Sequence, residues 1–291
     1  MKPAPFQYIA AHSLAEALAL KSEHGDDAKF LAGGQSLMPT MNFRLARPAV
    51  LIDLNGIEEL AGGHSSDHAT QIGAMTRYRT LERDIALGTA FPLIREALPE
   101  IAHPQIRNRG TLGGNLCHAD PASEMPAVMV ALQARLKLQS VAGERWVEAR
   151  EFFQGALTTD LRPEEMLTAI ELPRPATPTG SCFLELARRR GDFAIAGVCA
   201  MVTLDDEEKC MALRLVLCGV GEVPVDASAA ADGMTGARIT DTAVGEVASQ
   251  VQKMIDPAGG IHASADYQRH IAGVLTERAI FTAHQRARDG R

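Results

Sequence analysis

Two pairs of adjacent glycines constrain this chain more than any other feature. One lies in Leu31-Ala32-Gly33-Gly34-Gln35-Ser36-Leu37, the other in Gly110-Thr111-Leu112-Gly113-Gly114-Asn115, roughly eighty residues later. Paired glycines let neighbouring N–H groups turn toward one point, because no Cβ forbids positive φ or blocks close approach. A concave row of such groups binds an anion, and phosphate is the commonest one. Polar side chains accompany both pairs, Gln35 and Ser36 at the first, Thr111 and Asn115 at the second. Plain structural turns would not need them. Two such loops can grip the two halves of a pyrophosphate, which points to a dinucleotide.

The pattern around the loops is mixed α and β. Ser13 and Glu16 form a capping box for a helix that Gly25 closes. Short apolar runs at Lys29–Ala32, Val50–Leu54 and Gln71–Ala74 are strands, and helices are expected at 81–87 and 92–101. The stretch 103–115 carries a proline and three glycines and is expected to be loop. Asp120-Pro121 is expected to cap a helix running toward Leu132. Strands follow near 135–140, 146–149 and 166–172. A linker rich in proline, Pro173 to Gly180, then separates three further strands (182–189, 193–204, 210–218) and two closing helices (242–255, 265–287). Strands followed by helices make the second part an α+β module. The expected domains are residues 1–175, with subdomains meeting near 57/58, and residues 176–291.

Other chemistries fit less well. Gly219-Val220-Gly221-Glu222-Val223-Pro224 follows a strand, but proline replaces the third glycine of a Rossmann fingerprint and no helix opens there, so it reads as a turn. Gly34-Gln35-Ser36 begins like a nucleophile elbow, yet Met38 stands where the second glycine is required. His64 and His68 lie in a turn-like, solvated segment rather than on a helix that would present them to a metal. The five cysteines form no Cys-x-x-Cys pair, and Cys199 and Cys218 sit in apolar runs as core thiols. Lys+Arg 29 against Asp+Glu 36 gives a dispersed net charge of −7, which argues against nucleic acid. Arg188-Arg189-Arg190 is the one basic run and reads as a solvated strand edge. No apolar stretch approaches the roughly 20 residues that span a bilayer. From the unpaired cysteine spacing and the absence of a leader-like start, a cytoplasmic chain is expected.

Taken together, the glycine loops, Asn108-Arg109 before the second, His118-Ala119-Asp120-Pro121, and Ala187-Arg188-Arg189-Arg190-Gly191-Asp192-Phe193-Ala194 resemble the FAD-binding medium subunit of the molybdenum hydroxylases, the family of xanthine and carbon monoxide dehydrogenases. The likeness extends from about Phe6 to Arg278. It implies a two-part α+β FAD domain of the vanillyl-alcohol oxidase (PCMH) type, followed by a smaller α+β domain of the CO dehydrogenase flavoprotein type. By resemblance, Lys29, Phe30, Leu31, Ala32, Gly33, Gly34, Gln35, Ser36 and Leu37 run along the FAD diphosphate and ribityl. Gly110, Thr111, Gly113, Gly114 and Asn115 contact the cofactor from the second loop. Ile101, Ala102 and Ile106 offer apolar contact, Ser123 and Glu124 a polar-acidic pair, and Met166 and Leu167 a backbone segment beside the adenine. Phe193 is either an aromatic close to the isoalloxazine or an ordinary core residue.

The resemblance also implies a division of labour. A large partner subunit holds the molybdenum cofactor and hydroxylates a small molecule (a purine, an N-heterocycle or CO), and a small partner carries 2Fe–2S clusters. This chain then passes electrons from FAD to an external acceptor, with no acid–base catalyst and no metal of its own. Relatives akin to animal xanthine dehydrogenase carry lysine where this chain has Glu185, which disfavours NAD as acceptor. The rival readings are a stand-alone flavin oxidoreductase of the vanillyl-alcohol oxidase type and a non-catalytic nucleotide-binding assembly protein.

Overall fold

The computed structural model describes residues 2–174 and 179–290. The expected domain boundary between 175 and 176 therefore lies outside the described residues. The chain begins with a β-α-β-type unit: β1 (Gln7–Ala10), α1 (Leu14–His24), β2 (Ala28–Leu31), α2 (Leu37–Asn42) and β3 (Val50–Asp53). The three strands are parallel, in the order β1-β3-β2. Ser13 Oγ accepts the Glu16 N–H at the start of α1, and Gly25 ends it at φ 51°, as the capping residues foretold. A small core of Ala17, Ile52 and Leu54 lies beneath this sheet.

A second sheet is antiparallel and ordered β4-β5-β10-β6-β7, from β4 (Gly63–Ser65), β5 (Ala69–Gly73), β6 (Arg135–Ser140), β7 (Gly143–Glu148) and β10 (Met166–Pro173). The hairpin of β8 (Phe153–Gly155) and β9 (Thr158–Thr159) stands beside it. Between β5 and β6 the chain runs through α3 (Tyr78–Arg83), α4 (Ile85–Ala90), α5 (Pro92–Ala97), α6 (Pro104–Arg107), α7 (Leu112–His118) and α8 (Glu124–Ala131), and α9 (Ala149–Phe152) follows β7.

Three expectations need correction in this region. The helix expected over 81–87 is divided at Asp84, whose extended backbone (ψ 95°) ends α3 while its carboxylate caps the Leu87 N–H to start α4. The stretch 103–115 holds two short helices rather than loop alone: Pro104 sits at the first position of α6, and Thr111 caps α7. Asp120-Pro121 does not open a helix. Asp120 closes a turn instead, its carboxylate accepting from Ala122 N–H and its carbonyl from Ser123 N–H, so α8 begins at Glu124.

The remaining chain forms a four-stranded antiparallel sheet, β11 (Thr179–Ala187), β12 (Ala194–Leu204), β13 (Cys210–Cys218) and β14 (Val225–Asp226), then α10 (Asp241–Met254) and α11 (Ala265–Asp289). Alternation along β12 sorts its two faces: Val198, Ala200 and Val202 meet the helices, while Cys199 and Met201 join the core of the first domain. At Gly180 a Cβ would come within 2.0 Å of Ala283 O, so only glycine lets α11 lie this close to β11. Charged contacts tie the halves together: Glu96 bonds Arg286 at 2.6 Å and accepts the Phe183 N–H at 2.9 Å. Gly219–Pro224 is the turn between β13 and β14, as read. No helix among the described residues is long and apolar enough to cross a membrane.

Candidate functional site

The two glycine pairs meet. A Cβ on Gly33 would lie 2.5 Å from Arg109 O and 2.9 Å from Gly110 Cα, so the first loop rests directly on the start of the second. Asn55 and Arg77 lock them in place. Asn55 Nδ2 donates to Ala32 O at 3.1 Å, and the Arg77 guanidinium donates both to Asn55 Oδ1 and to Arg109 O. These contacts carry no sequence signal, because they join residues more than twenty positions apart, although Asn55 N–H also donates to the nearby Asp53 Oδ1 at 2.9 Å.

The loops differ in what their amides do. At Gly34 the backbone takes φ 71°, a left-handed conformation suited to glycine. Among the described residues, the N–H groups of residues 33–37 donate to no protein acceptor. In the second loop every amide from 112 to 115 is occupied: Leu112 donates to Thr76 O, Gly113 to Ala74 O, Gly114 to Thr111 Oγ1 and Asn115 to Thr111 O. The expectation of two hairpin-like amide nests therefore holds for one loop only. Gly113 and Gly114 begin a helix, and a Cβ on Gly113 would stand 2.5 Å from Ala74 Cβ. These glycines allow close packing. What this loop presents is side chains: the Thr111 hydroxyl, whose proton is left to donate, and Asn115, whose Nδ2 donates to Ser123 Oγ at 2.6 Å.

Both loops line one cavity of about 910 Å³, near the upper end of the roughly 300–1,000 Å³ common for small-molecule sites. Every expected site residue borders it except Leu31, which packs its side chain under Gly34 while its carbonyl accepts from Leu54 N–H. Lys29, Phe30, Ala32, Gln35, Ser36 and Leu37 line one side; Ile101, Ala102, Ile106, Met166 and Leu167 supply apolar wall. Ser123 and Glu124 close the far end of the second loop. Phe193 is 73% exposed and precedes β12, so it is a residue of the cavity mouth and not of the core. It reaches there because Gly191 (φ 84°) presses on the carbonyl of Ala102, itself at φ 45°.

Several lining residues escaped the sequence reading. Lys21, on the polar shoulder of α1, turns inward and donates from Nζ to Gly25 O (2.6 Å) and Ala28 O (2.8 Å). Burial, and the nearby Lys29, lower its pKa. The wall at 159–167 is held by Arg145, which pairs with both oxygens of Glu165 (2.7 and 2.8 Å) and with Asp160 (2.6 Å). That guanidinium holds the Glu165 carboxyl below the usual carboxylate range. Neither contact could be read from spacing. His64 and His68 are exposed, and no metal-holding cluster of His, Cys, Asp or Glu occurs among the described residues.

The family described as the FAD binding domain in molybdopterin dehydrogenase matches residues 4–175, and the CO dehydrogenase flavoprotein C-terminal domain matches residues 181–283. The chain belongs to the FAD-binding medium subunits of the molybdenum hydroxylase family. It is 38% identical to the 6-hydroxypseudooxynicotine dehydrogenase complex subunit alpha of Paenarthrobacter nicotinovorans, over 99% of this chain and 97% of that one. It is 37% identical to the carbon monoxide dehydrogenase medium chain of Afipia carboxidovorans, over 99% and 100%. Its fold is similar to carbon monoxide dehydrogenase from Hydrogenophaga pseudoflava (TM-score 0.95, 37% identity, 98% and 99% covered) and to quinoline 2-oxidoreductase from Pseudomonas putida (TM-score 0.94, 36% identity, 99% of each). This medium subunit is thus a two-domain α+β flavoprotein of an oxidoreductase, with FAD as its cofactor.

The residues present fit that cofactor. Residues with free N–H donors line the cavity, as a diphosphate requires, and apolar side chains line it too, as flat rings require. The buried Asn115 Oδ1 has no hydrogen-bond partner, and neither has the Tyr78 hydroxyl in the same wall. Both are polar groups poised for a ligand.

Proposed function

We propose that this medium subunit receives electrons from a small 2Fe–2S subunit and delivers them to an external acceptor, while a large molybdenum subunit hydroxylates a small molecule. The relatives bear names of dehydrogenases of caffeine, carbon monoxide and nicotine derivatives, and such names support a substrate of the N-heterocycle, purine or CO class. Names such as subunit alpha, subunit beta and medium chain support the partners. The assembly works in the cytoplasm.

The observation that carries the reading is the cavity between unequal loops. The unoccupied amides of Gly33, Gly34, Gln35, Ser36 and Leu37 would offer positive charge to the FAD diphosphate, and the Ser36 and Thr111 hydroxyls would add donors. Lys29 adds charge at the same wall. Ile101, Ala102 and Ile106 would offer apolar contact to a ring, Met166 and Leu167 would border the adenine, and Phe193 at the cavity mouth would stand near the isoalloxazine. Bound FAD supplies a redox centre that exchanges electrons with one-electron and two-electron partners. The protein's share is to hold and orient it and to keep water from its buried face.

A reduction experiment tests this. The purified chain should be yellow, and dithionite should bleach it. Heterocyclic substrates should bleach it only when the large and small subunits are present. Bleaching of the isolated chain by such a substrate would favour the stand-alone flavin oxidoreductase instead.

A further inference from the structure

A second, smaller cleft opens beside the mouth of the flavin cavity. Its volume is about 310 Å³, and Arg188, Arg189, Asp192, Phe193, Ile195 and His262 line it. Asp192 and Phe193 border the larger cavity as well, so the two spaces share a wall.

Two segments distant in the chain build this cleft. One is the turn between β11 and β12, which Gly191 seats on the first domain; a Cβ there would stand 2.5 Å from Ala102 O. The other is the stretch between α10 and α11 that carries His262. Gln268 of α11 fastens the second to the start of β12. Its Oε1 accepts the Gly259 N–H at 3.2 Å, while its Nε2 donates to Ile195 O at 3.0 Å and Gly219 O at 2.9 Å. Arg188 joins the segments directly, its guanidinium donating to the His262 ring at 3.0 Å.

The positive charges are unpaired. Among the described residues neither Arg188 nor Arg189 forms an ion pair, whereas Arg190 is taken by Glu100 at 3.5 Å. Asp192 is the one carboxylate lining the cleft, against two guanidinium groups. A guanidinium with free N–H groups presents a planar fork that matches carboxylate or phosphate oxygens. Phe193 and Ile195 supply the apolar surface that a flat ring covers. The volume stands at the low end of the roughly 300–1,000 Å³ common for small-molecule sites, which suits one ring system rather than a second dinucleotide.

We infer that this cleft receives the external electron acceptor, a small quinoid molecule bearing an anionic group, held by Arg188 and Arg189 with its ring against Phe193. This rests on the larger cavity being the FAD site, since the shared wall is what places the acceptor beside the cofactor. Reduced FAD gives up two electrons and two protons; the quinone takes up both and leaves as the hydroquinone.

Naphthoquinone sulfonate and the same quinone without its sulfonate are the probes, used with the FAD-loaded full chain, alone and assembled with the large and small subunits. Equilibrium dialysis should show the sulfonate bound to the oxidised protein, and Arg188→Gln/Arg189→Gln should weaken it about tenfold or more. After reduction with dithionite, stopped-flow reoxidation by the sulfonate should slow about tenfold in that variant and in high salt, which removes electrostatic steering. Reoxidation by the uncharged quinone should be unchanged, and Arg189→Lys should keep part of the sulfonate's advantage. No loss with the sulfonate, or equal loss with both quinones, would overturn the inference. So would disappearance of the sulfonate's advantage in the assembly, which would make the cleft a subunit contact. Failure of the unaltered chain to hold FAD, alone and assembled, would instead overturn the assignment of the larger cavity, and the acceptor site with it.

Discussion

Gly33-Gly34 and Gly113-Gly114 look alike in sequence and do opposite work. The first pair opens a run of amides without partners, on residues that line the cavity. The second has spent its amides on Ala74, Thr76 and Thr111, and uses missing side chains to seat α7 against the end of β5. The difference teaches that a glycine pair marks close approach of backbone, here to the protein at Gly33 and at Gly113 alike, while only the first loop keeps its amides free. Only the hydrogen-bond account of each N–H tells the two apart.

Substitutions should separate the two roles. The largest effect is expected from Gly113→Ala, whose Cβ meets Ala74 backbone atoms at 2.8 and 3.0 Å. Overpacking of this kind costs about 1–3 kcal/mol, and it should appear as a lower Tm of the flavin-free protein. Gly34→Ala meets only side-chain atoms, at 3.3 Å, but must hold φ 71°. That conformation costs a residue with a Cβ roughly 1–2 kcal/mol. The loop is expected to turn to relieve it, so the loss should fall on FAD affinity, about tenfold, with little change in Tm. If both variants lose only stability, the contrast fails.

Thr111→Val comes next, because it removes the cap on Gly114 N–H, worth about 1 kcal/mol. Denaturant titration should show that loss, and Thr111→Ser should restore it. The smallest effect is expected at the opposite wall, which charge holds in place of glycine. Glu165 has its pKa lowered by Arg145, so its stabilising contribution is complete above the ordinary carboxyl value and disappears as pH falls through the lowered one. Arg145→Met should therefore lose stability near neutrality, and its difference from the unaltered chain should shrink as pH falls through the lowered value, which denaturant titrations at several pH values would show.

Much of the framework was legible because it rests on local chemistry. Ser13, Glu16 and Gly25 bound α1 through contacts within a few residues, and the alternating apolar runs mark β10, β12 and β13. The errors have equally local causes. Asp84 and Asp120 both offered a carboxylate to a nearby N–H, and which side of the residue becomes helix depends on packing further along the chain. The site was legible as two motifs but not as a wall. Lys21 lines it, and Asn55, Arg77 and Arg145 brace it, through side chains bonded to carbonyls, amides or carboxylates elsewhere in the chain. No spacing announces such bonds.

The central claim is that the amides of residues 33–37 hold the FAD phosphates and those of residues 112–115 do not. Backbone amide spectra of the flavin-free and FAD-loaded protein, read residue by residue, test it most directly. The account predicts that Gly33 to Leu37 shift strongly and gain protection from hydrogen exchange on loading, while Leu112 to Asn115 keep the protection they already have. Unchanged exchange at 33–37, with new protection appearing at 112–115, would contradict it.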